Sequence, residues 1–248
     1  MKRLVLFACA LLLASACTSS KLPDNDQHSL GKVGIVAIMG NKLSLVHTGF
    51  SSFSSTARTV NVTDWDLNQV VSDSLSQLLQ QRQYEVVKTT YTQEDLQSIY
   101  EAGPGTLEWK PGNITNQLRM IASQSGADTL ILVLRRASPD YIYVPMNEEE
   151  YFYESLIGFG LYNRGTFISY VTTATFANLE LMVIDAHTLQ VSYKNSTQHY
   201  TTVDRRFWHE DYNKKDPKLV TDDEAELKKL IDKEIVTTLK QAVVEMNF

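Results

Sequence analysis

Cysteine usage constrains this fold more than any other feature of the sequence. Only two occur, Cys9 and Cys17. Met1-Lys2-Arg3 is a short basic start, Leu4 to Leu13 is apolar, and Ala14-Ser15-Ala16 is a small-residue stretch before Cys17, the three parts of an export leader. The apolar run is about half the roughly 20 residues that a membrane-crossing helix needs. Removal of residues 1–16 takes Cys9 away and leaves Cys17 at the new amino terminus, so the folded body has no cysteine. In an oxidising compartment such a body must hold together without a disulfide, on an apolar core of ordinary size.

The leader resembles a bacterial lipoprotein signal, with Ala14 where that family carries Leu. The resemblance implies cleavage before Cys17, acylation of its thiol by fatty chains such as palmitate, and a membrane anchor worth about 0.8 kcal/mol per buried CH₂. Thr18, rather than Asp, follows Cys17, which resembles the pattern for outer-membrane delivery and implies a body facing the periplasm. The expected division is a signal peptide over 1–16, a lipidated polar tether over 17–30, and one α/β periplasmic domain over 31–248. An aromatic and glycine-rich insertion is expected at about 138–166. Of the 23 Lys and Arg, 21 remain after cleavage against 29 Asp and Glu, a formal charge of −8. That balance argues against nucleic-acid binding.

Val33 to Met39 is a continuous apolar run, as in a central strand covered on both faces, and Gly40-Asn41 then suggests a hairpin into Lys42–Phe50. The Ser-rich stretch 49–56 reads as a loop. Thr63-Asp64-Trp65-Asp66 resembles a short capping box opening a helix with Leu67, Val70, Val71, Leu75, Leu78 and Leu79 on one face. A strand at Tyr84–Val87 and a helix over about 93–102 follow. A third helix over 113–125 stops at Gly126 before the apolar strand Asp128–Leu134. Phe167–Thr173 and Ala177–Ile184 read as two strands. Asp185 and Thr188 then form a turn into Leu189–Tyr193, with His187 at its tip. Asp222-Asp223-Glu224 opens a last helix whose stripe is Leu227, Leu230, Ile231, Ile235, Leu239, Val243 and Val244. The expected class is α/β, a mixed parallel and antiparallel sheet packed by amphipathic helices.

Tyr141, Tyr143, Tyr151, Phe152, Tyr153, Phe159 and Tyr162 interleave with glycines, which suits a projecting partner-binding loop because aromatic rings supply contact area at low ordering cost. Gly158-Phe159-Gly160 lacks the spacing and following lysine of a phosphate loop. No catalytic motif stands out. The rival enzymatic reading, a periplasmic hydrolase or metal-assisted enzyme, would use the polar cluster His199, Arg205, Arg206, His209, Glu210 and Asp211. Adjacent residues on a strand face opposite ways, and no His-x-x-x-His or cysteine ligand supports a metal there.

Val33 to Met39, Gly126 to Leu134, and Leu179 to Tyr193 with its Asp185-x-x-Thr188 turn resemble the domain of a group of periplasmic lipoproteins. The group includes the curli-secretion lipoproteins, the peptidoglycan-synthase activators and the amino-terminal domain of the Tol propeller protein. The resemblance implies an anticodon-binding-domain-like fold and a non-enzymatic binding, recruitment or assembly role without a cofactor. It also implies an envelope protein partner or self-association; fold alone does not establish any of these.

Overall fold

The computed structural model describes residues 30–49, 55–92, 96, 113–136, 156–165 and 171–246. In chain order these form β1 (Lys32–Ile38), β2 (Lys42–Thr48), β3 (Thr56–Asn61), α1 (Leu67–Gln81), β4 (Glu85–Val87) and α2 (Asn113–Ser125). Then come β5 (Thr129–Arg135), β6 (Phe159–Gly165), β7 (Val171–Asp185), β8 (Val191–Val203) and α3 (Thr221–Glu245). Among the described residues the eight strands make one mixed sheet, so the expected α/β class holds. The leader, the tether through residue 29, the Ser-rich loop at 50–54 and the helix expected over 93–102 lie outside the described residues, except Leu96, which is buried.

The long strand β7 organises the sheet. A strand has two edges, and β8 takes one of them from Thr173 to Ile184 in antiparallel register. The other edge is divided: β6 pairs antiparallel with Val171–Ala177 and β5 with Leu179–Asp185. β5 and β6 therefore follow one another in the same direction along one line. β1 lies parallel to β5 and β2 parallel to β6, so β1 and β2 form the next line. Outside them, β4 runs parallel to β1 and β3 antiparallel to β2.

Three sequence expectations are corrected by this topology. β1 and β2 are not a hairpin: Gly40, at φ +73°, redirects the chain between two collinear strands, and the hairpin is β2–β3. The two runs expected around 167–184 are one strand from Val171 to Asp185. Within the expected insertion, Phe159–Gly165 belongs to the sheet as β6.

Both faces are covered along β1 and β5. On one face α1 buries Leu67, Val71, Leu75 and Leu79, and α3 buries Leu227, Ile231, Ile235, Leu239 and Val243, against the odd-numbered positions of β1, β5 and β7. Each such aliphatic side chain contributes about 1.5–3 kcal/mol on burial. On the other face α2 lays Leu118, Ile121 and Ala122 over Val36, Ile38, Leu130, Leu132 and Met182. The stripe of α3 is shifted from expectation. Val244 is 64% exposed, while Ala242 and Met246 are buried.

The expected capping box before α1 does not form. The Thr63 hydroxyl donates to Asn61 Oδ1 at 2.6 Å and accepts from Asn41 Nδ2 at 3.1 Å, so it is not available to helix amides. Thr63–Trp65 forms a 3₁₀ turn, Asp66 takes a left-handed conformation at φ 47°, and the helix begins at Leu67. The Asp185 turn forms as expected. Asp185 Oδ1 accepts from the amides of His187 at 3.0 Å and Thr188 at 2.7 Å and from the Thr188 hydroxyl at 2.9 Å, joining β7 to β8.

Candidate functional site

Of the aromatic residues expected to meet a partner, Tyr141, Tyr143, Tyr151, Phe152 and Tyr153 lie outside the described residues. Phe159 and Tyr162 are placed otherwise than expected. They point to opposite faces of β6, with Phe159 fully buried beneath α1 and α3 and Tyr162 packed with Val46, Leu156 and Phe176. Strand alternation decides this, because both faces of β6 are covered. These two rings are core residues.

The root from which the intervening segment leaves the sheet is well defined. The Arg136 amide donates to Asn178 O at 3.0 Å, the Asn178 amide donates to Gly158 O at 2.6 Å, and the Gly158 amide donates to Arg136 O at 2.7 Å. Asn178 thus bridges the end of β5 and the start of β6, and its Nδ2 also donates to Leu156 O at 2.7 Å. Beside it, Glu180 is 5% exposed and accepts from Lys194 Nζ at 3.0 Å, with Arg136 at 3.7 Å. Gly158 closes this pinch at φ +70°, a conformation that a side chain disfavours.

A second polar arrangement lies under α3. Glu234, 2% exposed, accepts from the Thr175 hydroxyl at 3.2 Å and pairs with His199 Nδ1. Nearby, His47 Nδ1 meets Asn163 Oδ1 at 2.9 Å, and Asn163 Nδ2 donates to the Thr173 hydroxyl at 3.0 Å. The His47 ring stacks on Trp208 with centroids 5.8 Å apart, and Trp208 meets Tyr212 edge-on at 5.7 Å. Burial pushes the Tyr212 phenol above its ordinary pKa. Glu234 and Thr238 were not expected to be buried. The signal was their spacing, which places both on the stripe defined by Ile231, Ile235 and Leu239.

The polar cluster at 199–211 does not converge on one point. His199 goes to Glu234, Arg206 pairs with Glu226, His209 Nε2 lies 3.2 Å from Asp223 and Asp211 pairs with Lys214 at 2.6 Å. Arg206 also sits over the Phe207 ring at 4.8 Å. Arg206 and His209 thereby fasten the segment after β8 to α3, while Asp211 and Lys214 pair within that segment. Among the described residues no three His, Cys, Asp or Glu side chains form a group that could hold a metal ion.

At the opposite end of the sheet, β4 covers β1 only as far as Gly34. Beyond it, side chains satisfy the edge. The Thr89 hydroxyl donates to Ile35 O, the Ala37 amide donates to Tyr91 Oη at 2.8 Å while that phenol donates back to Ala37 O at 3.2 Å, and the Met39 amide donates to Asn68 Oδ1 at 2.7 Å. Burial raises the Tyr91 phenol pKa despite these bonds. A polar groove of about 810 Å³ lies here between α1 and residues 86–91.

No family model matches the chain, and no curated protein does. Among solved structures, lipoprotein GNA1162 from Neisseria meningitidis matches over 73% of this chain and 88% of its own, at 6% identity and a TM-score of 0.33. Protein XCC0632 from Xanthomonas campestris matches over 92% and 85%, at 8% identity and 0.38. The LpoB C-terminal domain from Salmonella enterica matches over 68% and 82%, at 9% identity and 0.26. Likenesses at these scores transfer no site and no activity to this chain. Among the described residues no helix is long and apolar enough to cross a membrane.

Proposed function

We propose that this chain is a lipid-anchored envelope protein, attached to the outer membrane through Cys17 and facing the periplasm. There it holds or recruits another envelope component through the aromatic segment between Arg136 and Leu156. The observation that carries this reading is the pinch at Arg136, Gly158 and Asn178. It roots that segment in the middle of a rigid sheet, with both ends fixed to one strand, so that a force or a partner acting on the segment acts on the folded body. Tyr141, Tyr143, Tyr151, Phe152 and Tyr153 fall inside the rooted segment. The leader and Cys17 support the anchor, and the tether over 17–29 gives the body reach from the membrane.

The test separates the anchor from the contact. Mass measurement of the processed protein should find Cys17 as the first residue carrying acyl chains, and Cys17→Ser should leave the protein outside the membrane fraction. Replacing residues 138–155 with a short Gly-Ser linker should leave export and the thermal transition intact while abolishing recovery of the crosslinked envelope partner. The deletion must stop before Leu156, since one reaching residue 165 removes β6 and unfolds the sheet. Undiminished crosslinking would remove the segment from the role. A change only in the mass of the protein's own assembly would assign the segment to self-association.

A further inference from the structure

The outer edge of β3 has features that the reading above does not use, and none of its residues lies between 137 and 155. Antiparallel pairing alternates, so one bond sets the direction of every main-chain group. The Val62 amide donates to Asn41 O at 2.7 Å, continuing the register in which Asn61 faces Lys42. Thr56, Arg58 and Val60 therefore turn their amides and carbonyls toward β2, while Ala57, Thr59 and Asn61 turn theirs outward. Among the described residues no strand pairs with that outward edge. On it, Arg58 Nη1 donates to Ala57 O at 2.9 Å.

A cavity of about 650 Å³ takes in this strand and the neighbouring face of β2, and its lining carries the cations Lys42, Arg58, Arg135 and Lys215 against a single carboxylate, Asp216. No acid pairs with Lys42, Arg58 or Lys215 among the described residues, and Arg58 Nε is buried with no hydrogen-bond partner there. This local excess of positive charge stands against a chain whose formal charge is −6. Open edges pair with further strands unless something opposes it. A second copy of β3 would bring like charges together across the new ladder, which is unfavourable. A strand carrying carboxylates would instead place them against the cations.

We propose that the outward edge of β3 is a docking site for an extended acidic segment of a partner protein. The segment adds as a further strand on Ala57, Thr59 and Asn61, with carboxylates on both of its faces, because Lys42 and Arg58 lie on opposite faces of the sheet, and with Lys215 as the third cation. The main chain supplies the ladder and the cations supply the choice of sequence.

The test uses the full mature chain and two synthetic peptides in which adjacent pairs of glutamate, or of lysine, alternate with pairs of valine so that charge lies on both faces of the strand, read by amide resonances and hydrogen exchange. The glutamate peptide should slow exchange at Thr59 and Asn61 at least tenfold, and the lysine peptide should not. Its affinity should fall as salt is raised. Lys42→Glu combined with Lys215→Glu should weaken the glutamate peptide at least tenfold and admit the lysine peptide. Because both lysines are surface groups, the thermal transition serves as the control for folding. Unchanged exchange at millimolar glutamate peptide, or unchanged binding by the double variant, overturns the site. Equal protection by inorganic phosphate would make it a free-anion site and also overturn the strand. Tighter peptide binding after replacement of 138–155 would identify the chain's own Glu148-Glu149-Glu150 as the occupant and overturn the external partner. Loss of the envelope crosslink on that same replacement bears on the rooted segment alone.

Discussion

The amide of Gly158 donates to the carbonyl of Arg136 across 2.7 Å, joining the end of β5 to the residues that lead into β6. A Cβ added at Gly158 would meet the Arg135 side chain at 3.1 Å and would sit at φ +70°. Gly158→Ala should therefore cost about 1–2 kcal/mol from the backbone alone. Asn178→Ala should cost about 1–3 kcal/mol, because it leaves the Leu156 carbonyl without its donor. Urea unfolding of each variant measures both. If the pinch roots the segment, both variants should also weaken the envelope crosslink.

Gly160 marks a close approach between β6 and β2. A Cβ there would lie 2.0 Å from the carbonyl oxygen of Ser44, which is backbone and cannot swing aside. Gly160→Ala should part β2 from β6 and cost more than about 3 kcal/mol, beyond ordinary overpacking. Calorimetry should show a lowered transition and exchange should rise first along β2 and β6; a wild-type transition would contradict the register.

Glu234 and His199 make an asymmetric pair, one buried and the other half exposed. His199→Ala strands the carboxylate under α3 with Thr175 as its remaining donor among the described residues, whereas Glu234→Gln keeps the shape and removes the charge. The first should cost about 2–4 kcal/mol, the second about 1 kcal/mol. A double-mutant cycle read by urea midpoints should return a coupling between the two sites.

Two carboxylates give stability an acid limb. The Thr188 amide and hydroxyl, with the His187 amide, hold Asp185 below its ordinary pKa of 3.8. At Glu245, burial raises the pKa but is outweighed by hydrogen bonds from Asn195, Gln241 and Thr197, leaving it below 4.5. A carboxylate depressed in the folded state adds stability that is present above the unfolded pKa and is lost as pH falls through the folded one. The urea midpoint should accordingly fall from about pH 5 downward. The Asp185→Asn, Glu245→Gln double variant should lose less over that interval than the wild type.

Local pattern carried much of this fold. The apolar run of β1, the three- and four-residue spacing of α1, the glycine stop after α2 and the Asp185 turn each depend on residues near in sequence, and each was legible there. What sequence could not show was which strands are neighbours. A Gly-Asn pair between two strand patterns reads as a hairpin, yet Gly40 joins collinear strands because β5 and β6, from far along the chain, supply their partners. Phe159 and Tyr162 read as contact residues because aromatics beside glycines suit a surface, and only the second covered face of β6 makes them core. Strand pairing and burial depend on which distant groups satisfy a backbone edge or cover a ring, and that choice is made by the folded whole. The sequence by itself determined most of the described elements and the Asp185 turn; the tertiary structure alone decided the order of the strands, the Asn178 junction and the edge of β3 that no described strand pairs with.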